Sequence, residues 1–467
     1  MNKETIFLHI PCPVSLRNAM TGSHSVYHRL VDAGYTVIVL APSYAASVIK
    51  ETYGATVVAV DFTEKKTTFE QCSDFITKHL NLTGMQILGS KYGLRFDLNA
   101  KTRHGYLHVV RVLISRTLGK WRWFRLVATP YLHLCAYRRR PFQEVFNQYK
   151  PALVFIPNPG STQGEEVLRE CKRQKVRTVG MVGSWDHPHK RFQALHTDVV
   201  FVWSESLKQE MMELQSYEEE AIRIIGIPHG DFFTHPEYLL SREEFFDTLG
   251  LDPAMRLFTL YSGTRRAPDE GDIVAMLSQA STEGRTHAPV QVYVRTYPGD
   301  REEDHKKFDA LAPLPHVHMD WLLGEKVFGP MPVNYFPDEE YMRKVVNTFY
   351  HSDAVLSVYS SASVEASIFG KPSINIGFDG YQERPFHRSV ARFVYQSHFD
   401  KLFATGAMLD THTESELIDA VNRVIDDPKC KEREVAYLRE RVCGPTDGKA
   451  GERMFQYIVA LIEQRAS

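Results

Sequence analysis

Short apolar runs alternate with longer stretches of helical period along most of this chain. The segment Ser352–Gly377, SDAVLSVYSSASVEASIFGKPSINIG, is the clearest instance. Ala354, Val355, Leu356 and Val358 form the apolar run expected of a central parallel strand. Small polar residues follow, then a short helix, a Gly370-Lys371-Pro372 stop and a second buried strand, Ser373–Ile376. The first half repeats the scheme. Thr5–Ile10 reads as a strand, Pro11–Gly22 as a loop, and the next stretch to about Ala33 as a helix. Thr36–Ala41, Ala55–Asp61, Ala152–Ile156, Arg177–Val182, Val199–Trp203 and Ile222–Ile227 read as further strands.

A second alternating set begins near Arg256, with strands at Leu257–Tyr261, Val290–Arg295, His316–Met319 and Ala354–Val358. Such βαβ alternation predicts parallel sheets joined by right-handed crossovers. The expected fold class is α/β, with two Rossmann-like doubly wound domains facing a cleft. At 467 residues the chain exceeds one ordinary core. Residues 1–235 are assigned to an N-terminal Rossmann-like domain and 236–449 to a C-terminal Rossmann-like domain. Residues 450–467 are expected to fold back as a helix toward the first domain.

Hydrophobic content of 43%, charged content of 24% and a net charge of −2 describe a globular chain with no global pull toward nucleic acid. Six scattered cysteines suit a reducing compartment. The N-terminus, MNKETIFLHIPCP, runs into a strand without a signal-peptide core, and no apolar stretch matches a bilayer span. The expected location is cytoplasmic, including the inner face of the membrane as a peripheral site.

Charge departs from this even picture once. Lys101–Arg140 holds ten Lys or Arg residues and no Asp or Glu, with Trp121, Trp123, Phe124, Tyr131 and Tyr137 interleaved. Lys101, Arg111, Arg122, Arg125, Arg138, Arg139 and Arg140 thus offer a surface for an anionic membrane or an anionic polymer, or only a solvated face.

The candidate chemistry lies at strand ends, where open α/β sheets bind ligands. Tyr359, Ser360, Ser361 and Ser363 follow one strand and can present hydroxyls and backbone N–H groups to a phosphate. Glu365 can accept from ribose or sugar hydroxyls. Ser262, Gly263, Thr264 and Arg265 form a second such loop, whose arginine suits a diphosphate. Arg295, with Tyr297 and Pro298 after it, closes a third strand as a planar bidentate donor. In the first half, Ser184, Trp185, Asp186 and His187 end a strand. Asp186 and His187 are candidate general bases, and Asp186 alternatively pairs with Lys190. Glu165, beside Glu166, is a further candidate carboxylate. Arg17, Asn18 and His24 occupy the first βα loop as candidate acceptor contacts. No Walker loop, Gly-x-Ser-x-Gly elbow or dinucleotide fingerprint is present, and no His/Cys cluster suggests a metal.

Several segments resemble a known class. SWDHPHKRFQALHTDVVFVWSESLKQEMMELQSYEEEAIRIIGIPHGDFF resembles the end of the N-domain in GT-B bacterial surface-polysaccharide transferases of the capsule and O-antigen type. YSGTRR, RTYPGD and VYSSASVEASIFGKP resemble donor-binding loops of that class, and of CDP-glycerol glycerophosphotransferase-like proteins. The resemblance implies a glycosyltransferase taking a nucleotide sugar as substrate, with no cofactor and no metal. Ser360 and Ser361 would touch donor phosphate. Two departures stand out. The His-Pro position is Tyr297-Pro298, which argues against a CMP- or CDP-linked donor, and no complete acidic pair of the retaining type is found. Two rivals remain: a non-hydrolysing UDP-sugar 2-epimerase using Asp186, Glu165 and Glu166, and a non-catalytic docking module of a polysaccharide assembly.

Overall fold

In the computed structural model, residues 4–61, 65–83, 103–263, 267–297, 305–321, 336–386 and 388–466 are described. The chain divides into two compact units. The first comprises Met1–Asp231 with Gly444–Ser467, and the second Phe232–Cys443. The division falls at Asp231/Phe232 rather than 235/236, and the return to the first unit begins at Gly444 rather than 450.

The first unit carries β1 (Thr5–His9), β2 (Thr36–Ala41), β3 (Thr56–Ala59), β4 (Leu153–Ile156), β5 (Arg177–Met181), β6 (Val199–Val202) and β7 (Ile222–Ile224). Their order is β3-β2-β1-β4-β5-β6-β7, parallel throughout. The second unit carries β8 (Arg256–Tyr261), β9 (Val290–Arg295), β10 (Val317–Asp320), β11 (Ala354–Ser357), β12 (Ser373–Ile376) and β13 (Met408–Thr411). Their order is β10-β9-β8-β11-β12-β13, again parallel. The strands are apolar on both faces because helices cover both sides of a parallel sheet. Phe7, Ile38, Val154 and Ile156 join one core, and Phe258, Leu260, Val292, Leu356 and Ile374 another.

Strand order reverses direction between β1 and β4, and again between β8 and β11. Each reversal opens a crevice at the carboxyl ends, where ligands of doubly wound sheets bind. Two elements differ from the sequence reading. The stretch assigned as a loop over Pro11–Gly22 contains a helix, Pro13–Ala19, which Pro13 opens at its first position. An unassigned edge strand, β13, pairs with β12. Among the described residues, no helix is long and apolar enough to cross a membrane.

Candidate functional site

In the second unit, Ser262 and Gly263 follow β8, while Tyr359, Ser360 and Ser361 follow β11, so these two loops flank the reversal. Glu270, in the first turn of the Glu270–Thr282 helix, builds the first loop. It accepts from the Ser262 hydroxyl at 2.9 Å and from the Gly263 backbone N–H at 2.7 Å. Lys307 donates to the same carboxylate at 2.8 Å and to the Gly263 carbonyl at 3.0 Å. Glu270 is buried; desolvation raises its pKa against the opposing pull of Lys307. Glu270 thus organises the loop as well as standing in the first turn of the helix. Thr264 and Arg265 lie outside the described residues, as do Pro298 and Lys101.

Arg295 closes β9 in register with Tyr261 of β8 and Asp320 of β10. It is buried, at 2% exposure. Its guanidinium donates to Thr348 Oγ1 at 3.2 Å, lies 3.7 Å from Asp320 and faces the rings of Tyr261 and Tyr341. Tyr261 stacks in turn on Phe349. The carboxylate partner of Arg295 among the described residues is Asp320, brought alongside by the sheet. Arg295 is thus a buried support of the strand end, with the exposed Tyr297 two residues beyond.

The β11 loop is held differently. Tyr359 adopts φ +46, an unusual left-handed conformation for a bulky residue. Its N–H donates to Asn375 Oδ1 at 3.0 Å, and Asn375 donates to Asp410 at 2.7 Å. Its ring packs among Phe393, Phe399 and Phe403, and burial raises its hydroxyl to about 12. The ring therefore serves the core. Ser360 Oγ accepts from the Ala362 N–H at 3.2 Å; Ser361 occupies the N-cap position of the Ala362–Ile368 helix without a side-chain cap bond. Ser363 is buried, and Glu365 is half-buried in the first helical turn.

In the first unit a pocket of about 340 Å³ opens between the ends of β4 and β5, bordered by Asn158–Thr162, His187, Lys190 and Arg191. The Thr162–Gln174 helix starts at its wall. Ser161 caps that helix by accepting from the Gly164 N–H at 2.9 Å. Gly164 must lack a side chain there, since a Cβ would meet the Asn158 carbonyl at 2.1 Å.

Asp186 forms an ion pair with Lys190 at 3.0 Å, the alternative noted from the sequence. His187 stays neutral, because desolvation lowers its pKa to about 4. Glu165 is buried against Arg191 at 2.8 Å, and burial raises its pKa despite that partner. Arg191 in turn donates to the Gly160 carbonyl at 2.8 Å. Glu165 therefore holds the pocket wall and is not presented as an open base. Trp185 is a core residue at 2% exposure, while Ser184 is partly open.

Asn18 is buried and donates to the Gly183 carbonyl at 3.2 Å, tying the Pro13–Ala19 helix to the β5 loop. Arg17 donates to Asn18 at 3.4 Å. His24 is buried, with its carbonyl accepting from Arg29 at 3.1 Å. Of the acceptor candidates, Arg17 and Ser184 remain partly exposed, while Asn18, His24 and Trp185 support the surroundings.

The basic segment is also more heavily paired than its composition suggests. Arg122 pairs with Glu218, and Arg140 makes a two-pronged contact with Glu170 at 2.6 and 3.0 Å. Arg125 donates to the Leu214 carbonyl at 2.7 Å and stacks over Phe192. Arg111 lies over Phe75, whereas Arg138 and Arg139 are exposed.

With the two sheets and their strand-end loops in view, comparison with solved structures decides the fold. A UDP-GlcNAc 2-epimerase from Neisseria meningitidis, solved with UDP-GlcNAc, matches at TM-score 0.54 and 11% identity, covering 98% of this chain and 100% of its own. A UDP-GlcNAc 2-epimerase from Methanocaldococcus jannaschii matches at 0.51 and 12%, covering 98% and 99%. A glycosyltransferase from Rickettsia africae matches at 0.50 and 11%, also covering 98% and 99%. The fold is GT-B-like. At these identities the likeness concerns the GT-B-like fold alone. No protein-family profile and no curated protein sequence matches the chain.

Three contributors to this GT-B-like chain's loops were missed in the sequence. Lys307 and Arg191 find their carboxylates only through the tertiary fold. His9 ends β1 at the first unit's reversal and is wholly buried, with its pKa lowered to about 3 by burial. One polar residue inside TIFLHI was the available signal for it.

Proposed function

We propose that the protein is a glycosyltransferase that moves a sugar from a nucleotide-sugar donor to a hydroxyl of a glycan or glycolipid acceptor, in bacterial surface-polysaccharide synthesis. The observation that carries this reading is the pair of loops, Ser262-Gly263 and Tyr359–Ser361, at the β8/β11 reversal of the second unit. Their backbone N–H groups and hydroxyls suit a diphosphate, and Arg295 behind them adds a fixed positive charge.

The acceptor belongs to the first unit. Asp186 takes the proton from the attacking hydroxyl as general base, with Lys190 beside it at 3.0 Å. The acceptor oxygen bonds to the anomeric carbon as the bond to the nucleotide phosphate breaks. The departing phosphate carries the charge that the second unit's loops stabilise.

An epimerase reading shares the fold, and most of the similar solved structures are UDP-GlcNAc 2-epimerases. It asks for several carboxylates around the sugar. Glu165 is committed to Arg191, and Glu166 lies 3.9 Å from Arg169 within the Thr162–Gln174 helix, which favours the transferase. A thermal-shift panel with UDP, GDP, TDP, CDP and CMP tests the donor site, since a ligand of the native state raises Tm. One nucleotide diphosphate shifting Tm supports the reading; no shift with any of them contradicts it.

A further inference from the structure

The Thr129–Ala136 helix is turned inside out. It buries Thr129, His133 and Ala136 and exposes Tyr131, Leu132 and Cys135. An ordinary surface helix does the reverse. The buried polar groups have partners: Thr129 donates to the Phe124 carbonyl at 2.8 Å, and Arg169 lies 3.1 Å from His133 Nε2. The outward face continues into the preceding turns. Trp121, Trp123 and Tyr131 are 62%, 65% and 69% exposed, and Val127 is exposed between them. From Trp123 to Ala136 this ridge runs about 20 Å. An apolar ridge of this length is a contact surface.

Exposed cations stand at both ends of the ridge in the chain, Arg116 and Lys120 before it, Arg138 and Arg139 after it. Residues 101–140 contain no acidic side chain, and the nearby Glu218 and Glu170 are already taken by Arg122 and Arg140. We propose that this face docks on an anionic lipid bilayer. Trp and Tyr suit the headgroup level, where the ring is buried and its polar edge stays wet. Lys and Arg at the margins meet the lipid phosphates. A second copy is a poorer occupant, because a two-fold contact sets the same unpaired cations against each other. A purely anionic polymer leaves Val127 and Leu132 in water. The inference deepens the acceptor side of the proposed function by making the acceptor lipid-borne, but its test involves no turnover, so the two readings fail separately.

The test uses the full chain with vesicles of phosphatidylcholine alone, or with one lipid in three replaced by phosphatidylglycerol. Trp185 and Trp203 are buried and Trp321 is partly so, so Trp121 and Trp123 report contact directly. The expected result is a blue shift of emission and binding about tenfold stronger to the anionic vesicles. The triple variant Trp121→Ser, Trp123→Ser, Tyr131→Ser should lose about tenfold in binding, with an unchanged circular dichroism spectrum. The separate variant Lys120→Ser, Arg138→Ser, Arg139→Ser should bind both vesicle types alike. Absence of wild-type binding, or equal binding by the aromatic triple variant, overturns the proposal. Self-association of the wild type that the aromatic variant abolishes also overturns it and assigns the face to a second copy.

Discussion

Lys307 and Glu270 meet at 2.8 Å inside the second unit, although 37 residues separate them in the chain. Both side chains are almost fully buried, and the same carboxylate fastens Ser262 and Gly263. The loop at the β8 end is therefore built around a buried charge pair.

Replacing one member of that pair strands the other. Glu270→Ala should cost about 3–5 kcal/mol, the usual range for an orphaned buried charge. Glu270→Gln keeps a hydrogen-bond acceptor and should cost less. Urea unfolding of the three proteins checks the order; equal midpoints would remove Glu270 from its organising role.

Arg295→Ala should lower both stability and nucleotide binding. It removes the cation beside Asp320, leaving Lys344 at 2.6 Å as its cation among the described residues. The loss should be about 3 kcal/mol, and adding Asp320→Asn should recover part of it, as coupled residues do in a double-mutant cycle. Strict additivity of the two changes would show that the 3.7 Å contact carries no energy.

Asp231 caps the C-terminal helix, Ala450–Ala466. Its carboxylate accepts from the Ala450 and Gly451 N–H groups at 3.1 and 2.9 Å. Asp231→Ala should cost about 1–2 kcal/mol. Gly451→Ala should cost about as much by a different route, because a Cβ would meet the His24 carbonyl at 2.3 Å. Thermal melts decide this, and an unchanged Tm in both variants would rule out the docking of the helix start.

Acid should destabilise the first unit. His9 and His133 are wholly buried, and burial lowers each pKa from 6.5 to about 3. The unfolded chain therefore binds more protons below pH 6.5. Stability from these groups is complete above that value and falls as the pH drops toward 3. With a slope that approaches about 1.4 kcal/mol per pH unit for each group, the pair loses about 3 kcal/mol between pH 6.5 and 5. His187, His79 and His196 of the same unit are lowered by burial to about 4 and add to the slope, so His133→Gln should lessen it by one group's share. A midpoint of unfolding that does not move with pH across this range would refute the account.

Much of the architecture was legible because parallel strands buried on both faces read as unbroken apolar runs, such as Leu153–Ile156 and Val199–Val202. β13 escaped because Met408–Thr411 places a polar Asp410 in a four-residue edge strand. The Pro13–Ala19 helix escaped because prolines at 11 and 13 imitate a loop, although proline is well suited to a first turn. Strand-end loops were legible from local spacing. Their supports were not: Glu165 with Arg191, Glu270 with Lys307 and Arg295 with Asp320 are set by the fold, across distances no local pattern encodes.

The most direct measurement follows nucleotide-sugar donors by proton and phosphorus magnetic resonance during incubation with the protein. A transferase lacking its acceptor passes the sugar slowly to water, so the account predicts a free sugar and a nucleoside diphosphate from one donor, with faster release when a glycolipid acceptor is supplied. An intact nucleotide sugar inverted at C2, or no change in any donor with or without acceptor, would contradict it.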